Sequence, residues 1–157
     1  MSSYVQSVLQ PGETVAFTSD IHWLVYLRPF ALALLAIAGL VWWLLVRHDP
    51  EQTKIPALAM MMFGGFFAFT GFVAAWFTRW TTEIAVTTRR VIYKRGFVRR
   101  ITIEMNMDKV ESIDIHQSIL GRMFDYGDIV VRGTGAGLEP LRMIEKPIAF
   151  RNAVIAR

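Results

Sequence analysis

The chain has 157 residues, 54% of them hydrophobic, with 17 Lys and Arg against 13 Asp and Glu and no cysteine. Without cysteine there are no disulfides, thiolate nucleophiles or thiolate metal sites, and the composition fits a reducing cytoplasmic compartment. The net charge of +4 is local: residues 79–157 hold 14 basic and 9 acidic side chains, whereas the stretch 47–54 carries two of each sign.

Residues 1–22 are polar enough to be ordered outside a bilayer. Pro11-Gly12 marks a turn, and 14–21 alternates enough to form a strand. This segment is expected to pack on the domain formed later in the chain. Two apolar runs follow. The stretch 30–46 has no charged residue and reaches spanning length once 24–27 is added and Arg28 snorkels toward the headgroups. The stretch 55–77 has no charge at all. A bilayer core of about 30 Å needs about 20 helical residues, so both runs are long enough. Aromatic residues mark the expected interfaces: Trp23 and Tyr26 before the first span, Trp42 and Trp43 at its end, Trp76 and Trp80 closing the second.

Two buried helices of a soluble core would need a larger domain than this chain provides. A cleavable signal peptide would need a basic start and an earlier apolar run. The expectation is a transmembrane hairpin over 23–79, with spans at about 24–46 and 55–77, in a multi-pass protein of the inner (cytoplasmic) cell membrane. Basic residues near span ends stay on the cytoplasmic side. Arg79, Arg89, Arg90, Lys94 and Arg95 fall in that zone, which predicts cytoplasmic N- and C-termini. No ionisable residue lies at midplane depth, which argues against a transporter.

Gly64, Ala68, Gly71 and Ala75 recur at helical spacing along the second span, with Ala36 and Gly39 as partners on the first. Small residues let helices approach closely in lipid. The stripe has two readings, packing within the hairpin and a dimerisation face, of which hairpin packing is the simpler.

Beyond Trp80 the period changes to two. Short alternating segments at 83–87, 90–94, 99–105, 110–116, 128–132 and 138–144 are bounded by Gly, Asp, Asn or charge clusters. No strand–helix alternation is visible, so the sheet should be antiparallel. The end, 147–157, starts with Pro147 at a plausible first turn and offers Ile148, Val154 and Ile155 as an apolar helix face. Residues 80–157 thus predict a compact β barrel or sandwich closed by a C-terminal helix.

The stretch from Glu83 to Arg100 resembles the opening of the bacterial PH-like domain of YdbS-type membrane proteins. So does the stretch 109–135, with its Gln117-Ser118, Gly121-Arg122, Tyr126-Gly127 and closing Gly133-Thr134-Gly135. Ile144-Glu-Lys-Pro-Ile-Ala-Phe150, Leu9-Gln-Pro-Gly-Glu13 and His22-Trp23 fit the same pattern. The resemblance implies a cytoplasmic PH-like antiparallel β barrel or sandwich anchored by a two-helix membrane hairpin, and it implies little about biochemistry.

Candidate chemistry is sparse. Asp114, His116 and Ser118 alternate along one expected strand, but residues two apart lie about 7 Å from each other, too far for a relay. His22, His48 and His116 are dispersed and suit no metal site. Gly133-Thr-Gly-Ala-Gly137 reads as a hairpin loop because no helix follows it. No catalytic, metal or cofactor residue is therefore expected. The sharpest lead is the basic hairpin Arg89, Arg90, Lys94, Arg95, Arg99 and Arg100 with Phe97 near its tip. It is read either as a contact for anionic lipid or a partner, or as topological and solubilising charge. Nucleic-acid binding lacks the interleaved aromatic residues it would need.

The functional expectation is a non-enzymatic, membrane-anchored binding or scaffold module whose partners are membrane lipids and a homo-oligomeric copy or another membrane protein. The alternative is an accessory subunit of a membrane transport or stress-response complex that docks through its β domain.

Overall fold

The structure, a computed structural model, describes residues 3–48, 51–97, 100–134 and 140–156. It divides into two compact units, Met1–His22 with Thr78–Arg157, and Trp23–Phe77. The β unit is therefore assembled from chain on both sides of the helical one.

In the helical unit a 3-10 turn, Trp23–Tyr26, leads into helix α2, Leu27–Leu45, and the chain returns in α3, Glu51–Thr81. Pro29 falls in the first turn of α2, where its missing N–H has no helical partner to lose. The two helices run antiparallel with small residues between them. A Cβ on Gly39 would lie 2.7 Å from the Met61 backbone nitrogen, and one on Gly64 would lie 3.1 Å from the Ala36 Cβ. Gly71 faces Pro29, and Tyr26 packs on Phe72 with ring centroids 5.1 Å apart. The outward faces are apolar: Phe30, Leu34, Ile37 and Val41 on α2, and Phe63, Phe66, Phe69 and Val73 on α3, are exposed. Both helices are long and apolar enough to cross a membrane.

The β unit is a sandwich of two antiparallel sheets. Strands β1 (Val15–Ser19), β2 (Glu83–Thr87), β3 (Arg90–Arg95) and β4 (Ile101–Asn106) form the first in that order. Strands β5 (Val110–His116), β6 (Tyr126–Gly133) and β7 (Leu141–Glu145) form the second. Alternation puts Ile84, Val86, Val91, Tyr93 and Met105 on one inner face and Ile129 and Val131 on the other, where Leu141 and Ile144 join them across a register shift between β6 and β7. The C-terminal helix α5, Pro147–Ile155, adds Phe150 and Val154 to this core. Phe150 is fully buried and meets Phe17 edge-on at 6.5 Å.

The chain after β1 joins the two sheets. His22 N–H donates to the Met143 carbonyl at 2.7 Å, Glu145 N–H donates to the Asp20 carbonyl at 3.0 Å, and Ile21 bridges Ile144. A short helix α1, Ser3–Val8, covers the opposite face of the first sheet, burying Val5 against Ala85 and Ile92.

The strands expected at 83–87 and 110–116 coincide with β2 and β5, and β3 runs one residue past 94. The segment 128–132 lengthens at both ends into β6. Those expected at 99–105 and 138–144 begin later, at Ile101 and Leu141. Residues 98–99, and the loop expected at 133–137 beyond Thr134, lie outside the described residues. The helices α1 and α4 (Ile119–Met123) have no counterpart among the sequence expectations.

Candidate functional site

Strand order brings most of the interesting loops to one end of the β unit. Ser19 pairs with Ile84, Glu83 with Lys94, Arg95 with Ile101, and Tyr126 with Glu145. The end of β1, the start of β2, the β3–β4 tip, the β5–β6 connection and the start of α5 therefore lie together. His22, whose N–H donates to the Met143 carbonyl, and Arg79, 3.6 Å from Glu145, lie at this same end of the β unit.

The tip carries an apolar and cationic combination. The Trp80 and Phe97 rings lie 5.7 Å apart, and both remain more than half exposed. Arg95 and Arg100 are exposed beside them, with Ile101 paired to Arg95. Gly96 has φ +89°, a left-handed conformation that glycine adopts without a Cβ clash, and this turns the chain out of β3. A cleft of about 550 Å³ opens here, lined among others by Trp80, Phe97, Arg100, Glu83 and Lys94. Lys94 Nζ binds Glu83 Oε1 at 2.9 Å and lies 4.8 Å over the Tyr4 ring. Glu83 Oε2 is buried with no hydrogen-bond partner among the described residues.

The structure does not hold the basic residues together as one patch. Arg89 and Arg90 sit at the β2–β3 turn, at the opposite end of β3 from Arg95. Arg89 Nη1 donates to Gln10 Oε1 at 3.3 Å. Arg90 is a structural residue: its guanidinium donates to Glu13, to Glu104 Oε2 at 2.7 Å and to the Val8 carbonyl at 2.6 Å. Lys94 is likewise engaged with Glu83. Strand alternation and partners distant in sequence separate charges that sequence proximity groups. Arg99 lies outside the described residues. What remains is Arg95 and Arg100 flanking Phe97, neither in an ion pair among the described residues.

The buried carboxylate of that network is Glu13. Burial pushes its pKa up, but hydrogen bonds from the Thr87 hydroxyl, the Gln10 N–H and Arg90, together with the Arg90 charge, outweigh it. The carboxyl is held below its ordinary value.

Asp114, His116 and Ser118 do not share a strand, which corrects the sequence expectation. β5 ends at His116, and Ser118 caps α4, its hydroxyl accepting the Gly121 N–H at 3.0 Å. Asp114 binds Arg132 across the sheet at 2.8 Å. Among the described residues no group of three or more His, Asp or Glu is placed to hold a metal ion.

Of the small residues, Gly39, Gly64 and Gly71 face the opposing helix of the hairpin, while Ala68 and Ala75 are buried. Ala36 meets Gly64. Sequence reading missed the apolar side chains of α4, where Ile119, Leu120 and Met123 are exposed. The signal was present in Ser118, a preferred N-cap residue directly before Ile-Leu.

No curated protein and no solved structure matches the chain. The family model of the bacterial PH domain matches residues 21–157, so that α1 and β1 precede the matched stretch. With seven antiparallel strands among the described residues, a closing C-terminal helix and a match over most of its length, the chain belongs to the bacterial PH domain family.

Proposed function

We propose that the chain is an integral membrane protein in which α2 and α3 cross the bilayer as a hairpin. They anchor a non-catalytic PH-like binding module on the cytoplasmic side, and that module contacts anionic lipid headgroups through its β3–β4 tip. Family membership supports a binding or scaffold role. The outward Phe, Leu, Ile and Val side chains of both helices support lipid as their solvent, because water does not tolerate an apolar surface of that extent. The basic excess beginning at Arg79 supports the cytoplasmic orientation.

One observation carries the lipid contact. The Trp80 and Phe97 rings stand exposed at the end where α3 enters the β unit, flanked by Arg95 and Arg100. Aromatic rings favour the headgroup layer, and unengaged guanidinium groups bind phosphate there.

The test is lipid retention by the full-length protein in detergent, read by native mass spectrometry. At about 1 kcal/mol per basic side chain, replacing Arg95→Gln together with Arg100→Gln should lower retention of anionic lipid at least about tenfold relative to zwitterionic lipid. An unchanged ratio overturns the lipid contact. For orientation, a single cysteine at Arg47 should react with an impermeant reagent from outside intact cells and one at Ser112 should not. The reverse pattern overturns the topology.

A further inference from the structure

We propose that α4 is a second membrane contact. Its exposed side chains Ile119, Leu120 and Met123 enter the headgroup layer of the bilayer that the two long helices cross, and Arg122 and Arg151 engage anionic phosphates beside them. The proposal rests on the membrane-spanning reading of α2 and α3.

The orientation of α4 is unusual for a soluble domain. A surface helix of a soluble domain buries its apolar stripe and exposes its polar face. Here the arrangement is inverted. The buried residue of α4 is Gly121, where a Cβ would lie 2.7 Å from the Tyr126 carbonyl oxygen. The helix therefore lies flat on the start of β6 through its glycine, and Ile119, Leu120 and Met123 are 83%, 52% and 70% exposed. Gln117 fixes the arrangement by donating through Nε2 to the Tyr126 carbonyl at 3.1 Å.

Within the β unit, α4 packs on Tyr126 at the start of β6. The Tyr126 ring stacks on His22 at 5.1 Å, and His22 directly precedes the first long apolar segment. Tyr126 also pairs with Glu145, whose carboxylate lies 3.6 Å from Arg79 in the last turn of α3. Within the β unit, Tyr126 thus stands beside His22 and pairs with the residue that meets Arg79, and these two stretches are continuous in sequence with the long helices. If the helices span, chain continuity brings these two stretches to the bilayer surface, and lipid is the apolar phase assigned to α4.

The charge around α4 favours the same surface. Arg122 and Arg151 line a cleft of about 630 Å³ together with Ile148 and Ser118. Neither arginine is in an ion pair among the described residues. Asp128, in the same cleft, is engaged by the Met143 N–H at 2.8 Å, while Asp125 is exposed nearby. Cations beside apolar side chains suit an anionic lipid surface, and five residues of helix reach only the headgroup layer.

The chain has no cysteine, so single labels can be placed in the full-length protein reconstituted in nanodiscs of phosphatidylcholine with or without phosphatidylglycerol. A polarity-sensitive fluorophore is attached through Met123→Cys, Val41→Cys or Ser112→Cys and quenched by headgroup-region spin-labelled lipid. The expected result is strong quenching and blue-shifted emission at positions 41 and 123, and neither at position 112. Quenching at 123 should increase with phosphatidylglycerol, and that increase should be lost with Arg122→Gln and Arg151→Gln. Ile119→Cys provides a second site if Met123→Cys does not fold. If position 41 is quenched while 119 and 123 behave like 112, the α4 contact is overturned and the anchor stands. If position 41 is not quenched, the spanning reading fails and the proposal fails with it. Disulfide cross-linking between two Met123→Cys chains without lipid quenching overturns it in favour of an interface between copies.

Discussion

Arg90 Nη2 lies 3.0 Å from Glu13 Oε2, closing an ion pair between residues 77 positions apart on either side of the two long helices. The Glu13 side chain is fully buried, and Arg90 shares its other donors between Glu104 and the Val8 carbonyl. The pair ties the N-terminal segment to the β2–β3 turn. Removing one partner of a buried pair leaves the other charge uncompensated and costs about 3–5 kcal/mol. Because Glu104 still holds Arg90, Glu13→Gln should cost about 3 kcal/mol, lowering the Tm of the β unit in detergent on the order of 10 °C. The exposed Arg132–Asp114 pair is the control: Arg132→Gln should cost less than about 1 kcal/mol. Equal shifts for the two variants would remove Glu13 from its structural role.

The same carboxylate predicts a pH dependence. Its folded-state pKa lies below the ordinary glutamate value of 4.5, so below that value the unfolded chain binds a proton more readily than the folded one. Its contribution to stability is complete above the ordinary value and is lost as the pH falls through the lower folded-state value. The Tm advantage of the natural chain over Glu13→Gln should be flat from pH 7 to about 5.5 and shrink below pH 4.5. An advantage that persists unchanged to pH 3 would contradict the depressed pKa.

Within the hairpin, two glycines give opposite expectations. A Cβ at Gly39 would lie 2.7 Å from the Met61 nitrogen, whereas one at Gly65 meets nothing within 4 Å. Gly39→Ala should force the helices apart and weaken the hairpin by about 1–3 kcal/mol, as overpacking does. Gly65→Ala should be neutral or stabilise by up to about 1 kcal/mol through helix propensity. Steric-trap unfolding in bicelles separates them, and equal effects would mean that Gly39 is not at the helix contact.

Much of this architecture was legible because its signals are local. Glu83–Thr87 and Val110–His116 carry short apolar stretches, with period two at Ile113 and Ile115, between polar and charged neighbours, and the two long runs carry their class in length and lack of charge. The remainder depends on contacts distant in sequence. Helix α1 has six residues and holds through Val5 docking on Ala85 and Ile92. Arg90 reads as one of a basic run until Glu13 is found beside it. Trp80 marks the end of a span by composition, and only the fold places it against Phe97. Ser118 alternates with Asp114 and His116, yet its hydroxyl caps a helix, because the chain leaves the strand at His116.

The last prediction follows from the division of the β unit by the helical segment. β1 pairs along β2 from Val15↔Thr87 to Ser19↔Ile84, and the residues after it hydrogen-bond β7. A fragment starting at Thr78 would lack β1 and α1. It would expose the edge of β2, uncover Ala85 and Ile92, and leave the Arg90 guanidinium without Glu13. Unpaired strand edges promote association between chains, so this fragment should aggregate or melt non-cooperatively. Joining 1–22 to 78–157 through a short Gly-Ser linker restores every one of these contacts. That chain should be monomeric, melt cooperatively and keep the protection of the Val86 and Ile84 amides against hydrogen exchange. If the fragment from Thr78 folds as stably as the linked chain, the N-terminal strand is an accessory to the sandwich and not part of its frame.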